Sequence, residues 1–258
     1  MSFILTEQNN KVCVITLNRP DKFNSFNREM ALLLQTELDK AATDKNVRAI
    51  VLTGNGKAFC AGQDLAEVTD PNGPGISRIV SEHYNPIILK IRNIEKPVIA
   101  AVNGVAAGAG ANIALACDIV VATQAAAFIQ AFSKIGLIPD SAGTFFLPRL
   151  IGFQQASALM MTGDKVSADE AKQIGMIYKV FTNETFMQDT LALAHTLADM
   201  PTRGIGLTKR LLNESLFNTL DKQLAAEDRE QLAASKTYDY NEGVNAFLEK
   251  RKPEFKGE

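Results

Sequence analysis

Residues 97–118 read PVIAAVNGVAAGAGANIALACD, the start of the longest apolar run of the chain, which extends to Ala126. The short run from Pro97 to Val102 predicts a strand, and the glycine-rich segment from Gly104 to Gly110 predicts a turn into a helix. Polar residues interrupt the run at Asn103, Asn112 and Asp118. Because these interruptions do not suit a membrane span, we interpret the run as the buried centre of a globular fold.

The spacing of the glycines at 104, 108 and 110 restricts what this segment binds. It does not match the i, i+2, i+5 spacing of a dinucleotide-binding loop, which disfavours a nicotinamide cofactor. Two interpretations remain open. The glycines let a helix start close against a sheet, or they leave backbone N–H groups free to face a developing oxyanion at the positive end of a helix.

Strand and helix patterns alternate on the N-terminal side of this segment. Val12 to Leu17 is β-branched and apolar, an amphipathic helix with Asn27 as its cap follows, and Ala49 to Thr53 predicts a second strand. This alternation indicates an α/β fold with a mainly parallel sheet. Beyond about residue 150 the pattern is helical almost throughout.

Composition narrows the function classes. The chain has 258 residues, 46% of them hydrophobic, and 27 Lys and Arg against 29 Asp and Glu give a net charge of −2. No global positive field therefore favours a nucleic acid or an anionic membrane as partner. The three cysteines lack a Cys-x-x-Cys pair and the N-terminus does not match a signal peptide, so we expect a reduced, cytoplasmic setting. The chain has only two histidines, and they lie far apart in the sequence, which disfavours a histidine-rich metal site and a His-based catalytic triad.

A second glycine turn lies in the segment from Ala58 to Leu65. Gly62 frees the backbone there, so the N–H of Gln63 could face the donor of the first glycine segment. Asp64 has equal claim to be the cap of a short helix. Residues 66–77 contain several helix breakers and predict a mobile loop.

Asp140 stands out in the turn from Leu137 to Thr144. Taken alone, an Asp after Pro139 is most often a helix N-cap. Four phenylalanines lie near it in the sequence, at positions 128, 132, 145 and 146. A carboxylate in such an apolar setting has its pKa raised toward the range that suits proton transfer.

These segments, in this order, resemble the crotonase (enoyl-CoA hydratase/isomerase) superfamily. The similarity includes Asn103-Gly104, Cys117-Asp118 and the Gly-Leu-Ile-Pro turn at 136–139, and it runs from Leu17-Asn18-Arg19-Pro20 to Phe247-Leu248-Glu249-Lys250-Arg251. The resemblance implies a ββα spiral core over residues 1–200 and a helical C-terminal region, 201–258, that forms trimers or dimers of trimers.

The resemblance also implies an acyl-CoA site. The N–H groups of Gln63 and Ala109 would form an oxyanion hole for the thioester carbonyl. The residues expected to contact the substrate or its CoA are Arg19, Lys22, Ala61, Gln63, Asp64, Leu65, Tyr84 and Gly108. Lysines and arginines between 250 and 256 are further candidates for the CoA phosphates, and CoA enters as part of the substrate, with no further cofactor or metal.

Departures from the family pattern select the reaction. The positions of the two hydratase glutamates look like Asn112 and Phe132 here, and neither residue can act as an acid or a base. Asp140 sits where some isomerases and the 4-chlorobenzoyl-CoA dehalogenases have an aspartate, but the chain lacks the tryptophan that the dehalogenases use.

We therefore expect Asp140 to be the catalytic base of an isomerase that acts through a thioester enolate. The combination most resembles isomerases of phenylacetate catabolism that turn a ring 1,2-epoxide of phenylacetyl-CoA into an oxepin, and related enzymes that convert a 3-enoyl-CoA to a 2-enoyl-CoA. Alternatives are a hydratase or thioester hydrolase of the same fold, and a non-catalytic homologue that binds CoA or RNA.

Overall fold

The structure is a computed structural model that describes residues 2–258. The strands are β1 (Ile4–Asn9), β2 (Val12–Leu17), β3 (Ala49–Gly54), β4 (Ala58–Cys60), β5 (Val98–Val102), β6 (Val105–Ala107), β7 (Ile119–Thr123), β8 (Ala127–Ile129), β9 (Lys165–Ser167) and β10 (Lys179–Phe181). The helices are α1 (Arg28–Thr43), α2 (Leu65–Thr69), α3 (Gly75–Arg78), α4 (Asn85–Asn93), α5 (Ala109–Leu115), α6 (Gly143–Ile151), α7 (Phe153–Thr162), α8 (Ala168–Gln173), α9 (Phe186–Ala198), α10 (Thr202–Ser215), α11 (Leu220–Ala234) and α12 (Tyr238–Glu249). A π-helical segment, Ile79–Tyr84, joins α3 to α4, and 3-10 turns cover Pro20–Lys22 and Ala131–Ile135.

Two sheets form the core. The larger has the order β1-β2-β3-β5-β7-β10 and is parallel except for the β1–β2 pair. The smaller has the order β4-β6-β8-β9, with β9 antiparallel. The pairs β3–β4, β5–β6 and β7–β8 each put one strand in either sheet before the chain turns to helices. This repetition is the ββα spiral, so the predicted fold class is confirmed.

The sequence patterns that predicted the first elements are confirmed. The side chain of Asn27 accepts a hydrogen bond from the N–H of Met30, at 3.0 Å, and caps α1. Met30, Leu34, Leu38 and Ala41 face the core at four- and three-residue spacing. Every residue of β5 is buried, as expected of a central strand covered on both faces.

One expectation about local structure is wrong. Residues 66–77 are not one irregular loop, since α2 ends in this stretch and α3 begins in it. The carboxylate of Asp64 accepts from the N–H of Ala66 and so nucleates α2 despite the breakers that follow. The region after residue 150 is helical almost throughout, as predicted, and its two strands, β9 and β10, are too short for the two-residue alternation of a strand to be visible.

A close approach of two backbone segments joins the sheets. A Cβ on Gly110 would lie 2.4 Å from the carbonyl oxygen of Cys60, and one on Gly104 would lie 2.2 Å from that of Lys57. Any side chain at either position would push the segments apart. Close packing, one of the two interpretations of these glycines, is therefore confirmed, and it brings α5 against β4.

The C-terminal helices are anchored to the core by a half-buried ionic cluster. Asp118 accepts hydrogen bonds from Arg92, at 3.0 Å, and from the N–H of Val98, at 2.8 Å, and it pairs with Lys209 of α10 at 2.7 Å. Lys209 also donates to the carbonyl of Ile91. This cluster ties α10 to α4 and β5, while the division of the chain at residue 200 stays a prediction.

The described part of the chain, residues 2–258, holds no helix long and apolar enough to cross a membrane. The same residues hold no group of three His, Cys, Asp or Glu side chains that could bind a metal ion. Cys13, Cys60 and Cys117 are free thiols, and all three are buried.

We expect Asp118→Asn to destabilise the protein by about 3–5 kcal/mol, because it leaves Lys209 buried without its counter-ion. Urea unfolding followed by circular dichroism measures this change. Asp199→Asn is the matched control, since Asp199 pairs with Lys11 on the surface and its loss should cost less than about 1 kcal/mol. Equal losses in the two variants would contradict the anchoring role of Asp118.

Candidate active site

One cavity of about 460 Å³ gathers most of the residues that the sequence singled out. Its polar or backbone contributors include Lys22, Gln63, Asp64, Tyr84, Gly108, Ala109 and Asp140. Its apolar wall consists of Ala61, Leu65, Val68, Ile76, Ile79, Val80, Ala131, Phe132, Ile135 and Leu137. A mostly apolar cavity with a few convergent polar groups is typical of a small-molecule site.

The backbone N–H of Gln63 faces the cavity because of a single parallel bridge to Phe26. The N–H of Phe26 donates to the carbonyl of Gly62 at 2.7 Å, and the N–H of Asp64 donates to the carbonyl of Phe26 at 2.8 Å. In a parallel bridge the central residue points its own N–H and C=O the other way. Among residues 2–258 the N–H of Gln63 has no hydrogen-bond acceptor.

The second donor is the N–H of Ala109, the first residue of α5. A helix leaves its first N–H groups without intrahelical partners, and this one has no acceptor within the described chain. Gly62, at a φ of +94°, brings the two donors together, because a Cβ on it would lie 3.0 Å from the Ala107 oxygen and 3.5 Å from the Ala109 nitrogen. Gly108, at a φ of +52°, makes the turn into the helix.

Asp140 supplies a carboxylate of unusual basicity to the same cavity. Its side chain is half-buried, and its Oδ1 accepts a 2.9 Å hydrogen bond from the Ser141 hydroxyl rather than from a cation. Burial raises the pKa of Asp140 to about 6, and the Ser141 hydrogen bond offsets only part of this effect. The alternative that Asp140 caps a helix is wrong, because α6 begins after Ala142 without a side-chain cap.

The backbone after Asp140 is strained and held by neighbours. Ser141 and Ala142 have φ values of +50° and +58°, which non-glycine residues adopt at a cost of about 1 kcal/mol or more each. The amide of Asn112 donates to the Asp140 carbonyl at 2.9 Å, and the N–H of Gly143 donates to it at 2.9 Å. These two hydrogen bonds hold the main chain at Asp140 in place despite the strain beside it.

A second carboxylate lines the cavity, that of Asp64, and its pKa is shifted in the opposite direction. Burial by itself raises its pKa, but hydrogen bonds from Arg19, at 2.9 Å, and from the N–H of Ala66 outweigh burial and hold the pKa below its ordinary value. Asp64 therefore stays ionised, which leaves Asp140 as the carboxylate suited to exchanging a proton near neutral pH.

The structure brings together all the predicted site residues except Arg19. Its guanidinium donates to Asp64 and to the Ser25 carbonyl, and it does not line the cavity. Lys22 is exposed at the cavity, so its phosphate contact stays a prediction. In the tail, Arg251 is paired with Glu242 and Glu249.

Sequence reasoning missed three polar residues that lie outside the cavity lining and bond to residues around it: Glu67 to Gln63, Ser141 to Asp140 and Gln130 to Asn112. Glu67 lay in the stretch assigned to a loop, and Ser141 and Gln130 belong to no spaced motif. Their contacts depend on the tertiary structure. His83, a further candidate for the cavity wall, is buried next to Arg28 and does not line the cavity.

Two unpaired N–H donors and a basic carboxylate around one apolar cavity define a site for chemistry next to a carbonyl. The donors can bind the oxygen as negative charge develops on it, and the carboxylate can take a proton from the adjacent carbon. A ββα spiral with this arrangement is the architecture expected of the crotonase superfamily.

Comparison with known proteins agrees. The enoyl-CoA hydratase/isomerase family matches residues 7–258, and the chain belongs to this family. It is 47% identical to the 1,2-epoxyphenylacetyl-CoA isomerase of Escherichia coli (strain K12) over 260 residues, which cover 100% of this chain and 99% of that protein. It is 36% identical to 4-chlorobenzoyl coenzyme A dehalogenase-1 of Arthrobacter sp over 223 residues, 84% of this chain and 80% of the relative.

A solved structure supports the same fold. The enoyl-CoA hydratase of Bacillus anthracis superposes with a TM-score of 0.93 at 33% sequence identity, covering 99% of this chain and 100% of that one. The predicted family is thereby confirmed.

The raised pKa of Asp140 makes a prediction about stability. Between pH 3.8 and about 6 the folded protein holds a proton that the unfolded chain releases, so this residue lowers the free energy of unfolding as pH rises. We expect Asp140→Asn to stabilise the protein by about 2–3 kcal/mol at pH 8 and hardly at all at pH 4. Urea denaturation at the two pH values measures the difference.

Asp64→Asn is the control, because the pKa of Asp64 is lowered by folding. Its loss should destabilise the protein at pH 8, the opposite sign. An Asp140→Asn variant less stable than the parent at pH 8 would contradict the environment described for Asp140.

Proposed function

We propose that the protein is an isomerase of acyl-CoA thioesters that acts through a thioester enolate, with Asp140 as its base. The observation that carries the proposal is the half-buried Asp140 carboxylate, with a pKa of about 6 and no cation as partner, in the cavity that also receives the Gln63 and Ala109 N–H groups. The proposed transfer needs no metal and no cofactor beyond the CoA of the substrate.

In this mechanism the thioester oxygen accepts hydrogen bonds from Gln63 and Ala109. Asp140 removes a proton from C2, and the electrons of the C–H bond move into the enolate, whose oxygen bears the charge. Each backbone donor of this kind is worth on the order of 10²–10³ in rate. The protonated Asp140 then returns the proton at C4, which moves the double bond from C3–C4 to C2–C3 and regenerates the carboxylate.

The substrate that we favour is the ring 1,2-epoxide of phenylacetyl-CoA. The 47% identity to an enzyme named 1,2-epoxyphenylacetyl-CoA isomerase supports this choice. Opening of the bond between the two epoxide carbons gives the seven-membered oxepin ring. Transfer of a proton from C2 to the second ring carbon from C2 then conjugates the new double bond with the thioester, so one carboxylate serves both steps of the transfer.

A double-bond shift in a 3-enoyl thioester uses the same two carbons and is the second candidate reaction. A 34% identical relative from Streptococcus mutans is named trans-2-decenoyl-[acyl-carrier-protein] isomerase. Hydration is disfavoured, because the Asn112 amide is engaged with the Asp140 carbonyl and Phe132 presents an apolar ring to the cavity. A purely binding role, for CoA or RNA, would leave the basic Asp140 without a purpose.

We also propose that the chain forms a homotrimer or a dimer of trimers in the cytoplasm. The C-terminal helices expose large apolar side chains, among them Leu220, Phe247 and Leu248, at 76%, 82% and 73%. Closed symmetry would bury this surface. The three buried free thiols suit a reducing compartment.

We expect Asp140→Asn to lower kcat for a 3-enoyl-CoA by 10²–10⁴-fold while KM changes little, because the amide keeps the shape but cannot take a proton. Formation of the conjugated 2-enoyl thioester is followed by its ultraviolet absorbance. In the parent protein kcat/KM should fall as pH drops below about 6, the pKa of Asp140.

Ser141→Ala is the matched variant for the pH profile. The Ser141 hydroxyl donates to Asp140 and thereby lowers the pKa of Asp140, so its removal should raise that pKa. The acid limb should then move to higher pH while activity at pH 8 is retained. An acid limb that stays in place in Ser141→Ala, or turnover of Asp140→Asn within a few-fold of the parent, would rule out Asp140 as the base.

A further inference from the structure

The side chain of Gln63 is held at both ends, although the proposed chemistry uses only its backbone. Its Oε1 accepts a 2.6 Å hydrogen bond from the Tyr84 hydroxyl, and its Nε2 donates to Glu67 at 2.8 Å. The other oxygen of Glu67 accepts from the N–H of Arg28, at 2.8 Å. The carboxamide therefore bridges the π-helical segment and the start of α1.

Tyr84 is itself fixed in place. It is fully buried, and its ring contacts the ring of Phe26 edge-on with centroids 6.0 Å apart. Burial raises the pKa of Tyr84 well above its ordinary value, so the hydroxyl stays protonated and remains a donor. The amide of Gln35 in α1 donates to the carbonyls of Glu82 and His83 and so ties the π-helical segment to α1.

Phe26 closes the arrangement. Its backbone forms the parallel bridge that directs the N–H of Gln63 to the cavity, and its ring packs on Tyr84. Residue 63 is thus restrained through its main chain by Phe26 and through its side chain by Tyr84 and Glu67. Such restraint makes an N–H donor more effective at stabilising a developing oxyanion, because the donor does not have to reorient during the reaction.

Building on the proposed enolate mechanism, we propose that Tyr84 is a positioning residue for the oxyanion hole. By holding the Gln63 carboxamide against Glu67, its hydroxyl keeps the Gln63 N–H aimed at the thioester oxygen. Tyr84 acts through Gln63 and does not exchange a proton with the substrate.

The first test is Tyr84→Phe, which keeps the ring and removes the hydroxyl. We expect kcat to fall roughly 10-fold with KM within about 3-fold, because the oxyanion bond is stronger in the transition state than in the ground state. The acid limb of the pH profile should stay where it is, since Asp140 is unchanged. Tyr240→Phe, at an exposed position, is the matched control and should keep the parent kcat.

A double variant of Tyr84 and Gln63 distinguishes positioning of Gln63 by Tyr84 from direct contact of Tyr84 with the substrate. Gln63→Met removes the carboxamide but keeps the backbone N–H and a side chain of similar length. If Tyr84 acts through the carboxamide, adding Tyr84→Phe to Gln63→Met lowers kcat no further. Multiplying losses in the double variant, or an unchanged kcat in Tyr84→Phe, would overturn the proposal.

A binding measurement distinguishes this proposal from the proposed function. Cinnamoyl-CoA is a conjugated thioester whose absorbance moves to longer wavelength when its carbonyl accepts strong hydrogen bonds. We expect the parent protein to produce this shift, and Tyr84→Phe and Gln63→Met each to reduce it. Should Tyr84→Phe fail to fold, Gln63→Met alone tests whether losing the carboxamide that Tyr84 holds reduces the shift.

Each result decides between the two claims. A shift that both variants retain in full would overturn the role of Tyr84 and leave the oxyanion hole intact. No shift in the parent protein would overturn the oxyanion hole itself and the positioning role with it.

Discussion

The site depends on one close contact between two backbone segments, 58–62 and 104–110. A Cβ on Gly110 would lie 2.4 Å from the carbonyl oxygen of Cys60, which leaves no room for it, and a Cβ on Gly62 would lie only 3.0 Å from that of Ala107. This contact places the free N–H of residue 63 beside the free N–H of residue 109. Close packing and oxyanion binding were two interpretations of the glycine-rich segment, and they are compatible, because the close packing brings together the two N–H donors of the proposed oxyanion hole.

The electrostatics of the cavity follow from which carboxylate has a cation beside it. Asp64 is paired with Arg19 and stays ionised, whereas Asp140 is bound to a hydroxyl and has its pKa raised to about 6 by burial. The backbone is strained at Ser141 and Ala142, directly after the Asp140 side chain that lines the cavity. Stability is thus lost at the residue where basicity is gained, a trade common at active sites.

The sequence was sufficient for the parts of the fold and site that rest on local rules. The buried strand at 98–102, the cap at Asn27 and the glycine turns each have a signal within a few residues of chain. The same holds for Asp140, whose phenylalanine-rich surroundings indicated an apolar setting. The family resemblance supplied the pairing of Gln63 with Ala109, which local rules alone left open.

What the sequence missed depends on contacts between distant segments. Arg19 was expected near phosphates, but the carboxylate of Asp64, 45 positions away in the chain, binds its guanidinium. The bonds from Gln63 to Tyr84 and Glu67 join a turn, a π-helical segment and a short helix that no periodicity distinguishes. Strands of three residues, such as β9, exist only because a neighbouring strand is there to pair with them.

In the proposed mechanism, Asp140 removes a proton from C2 of the substrate to form a thioester enolate. Exchange of the C2 protons of phenylacetyl-CoA in deuterated water, followed by nuclear magnetic resonance, tests it without any ring opening or double-bond shift. We expect the parent protein to catalyse this exchange, with a rate that falls below pH about 6, and Asp140→Asn to catalyse none. Equal exchange in the two proteins, or no exchange in either, would contradict enolate formation by Asp140.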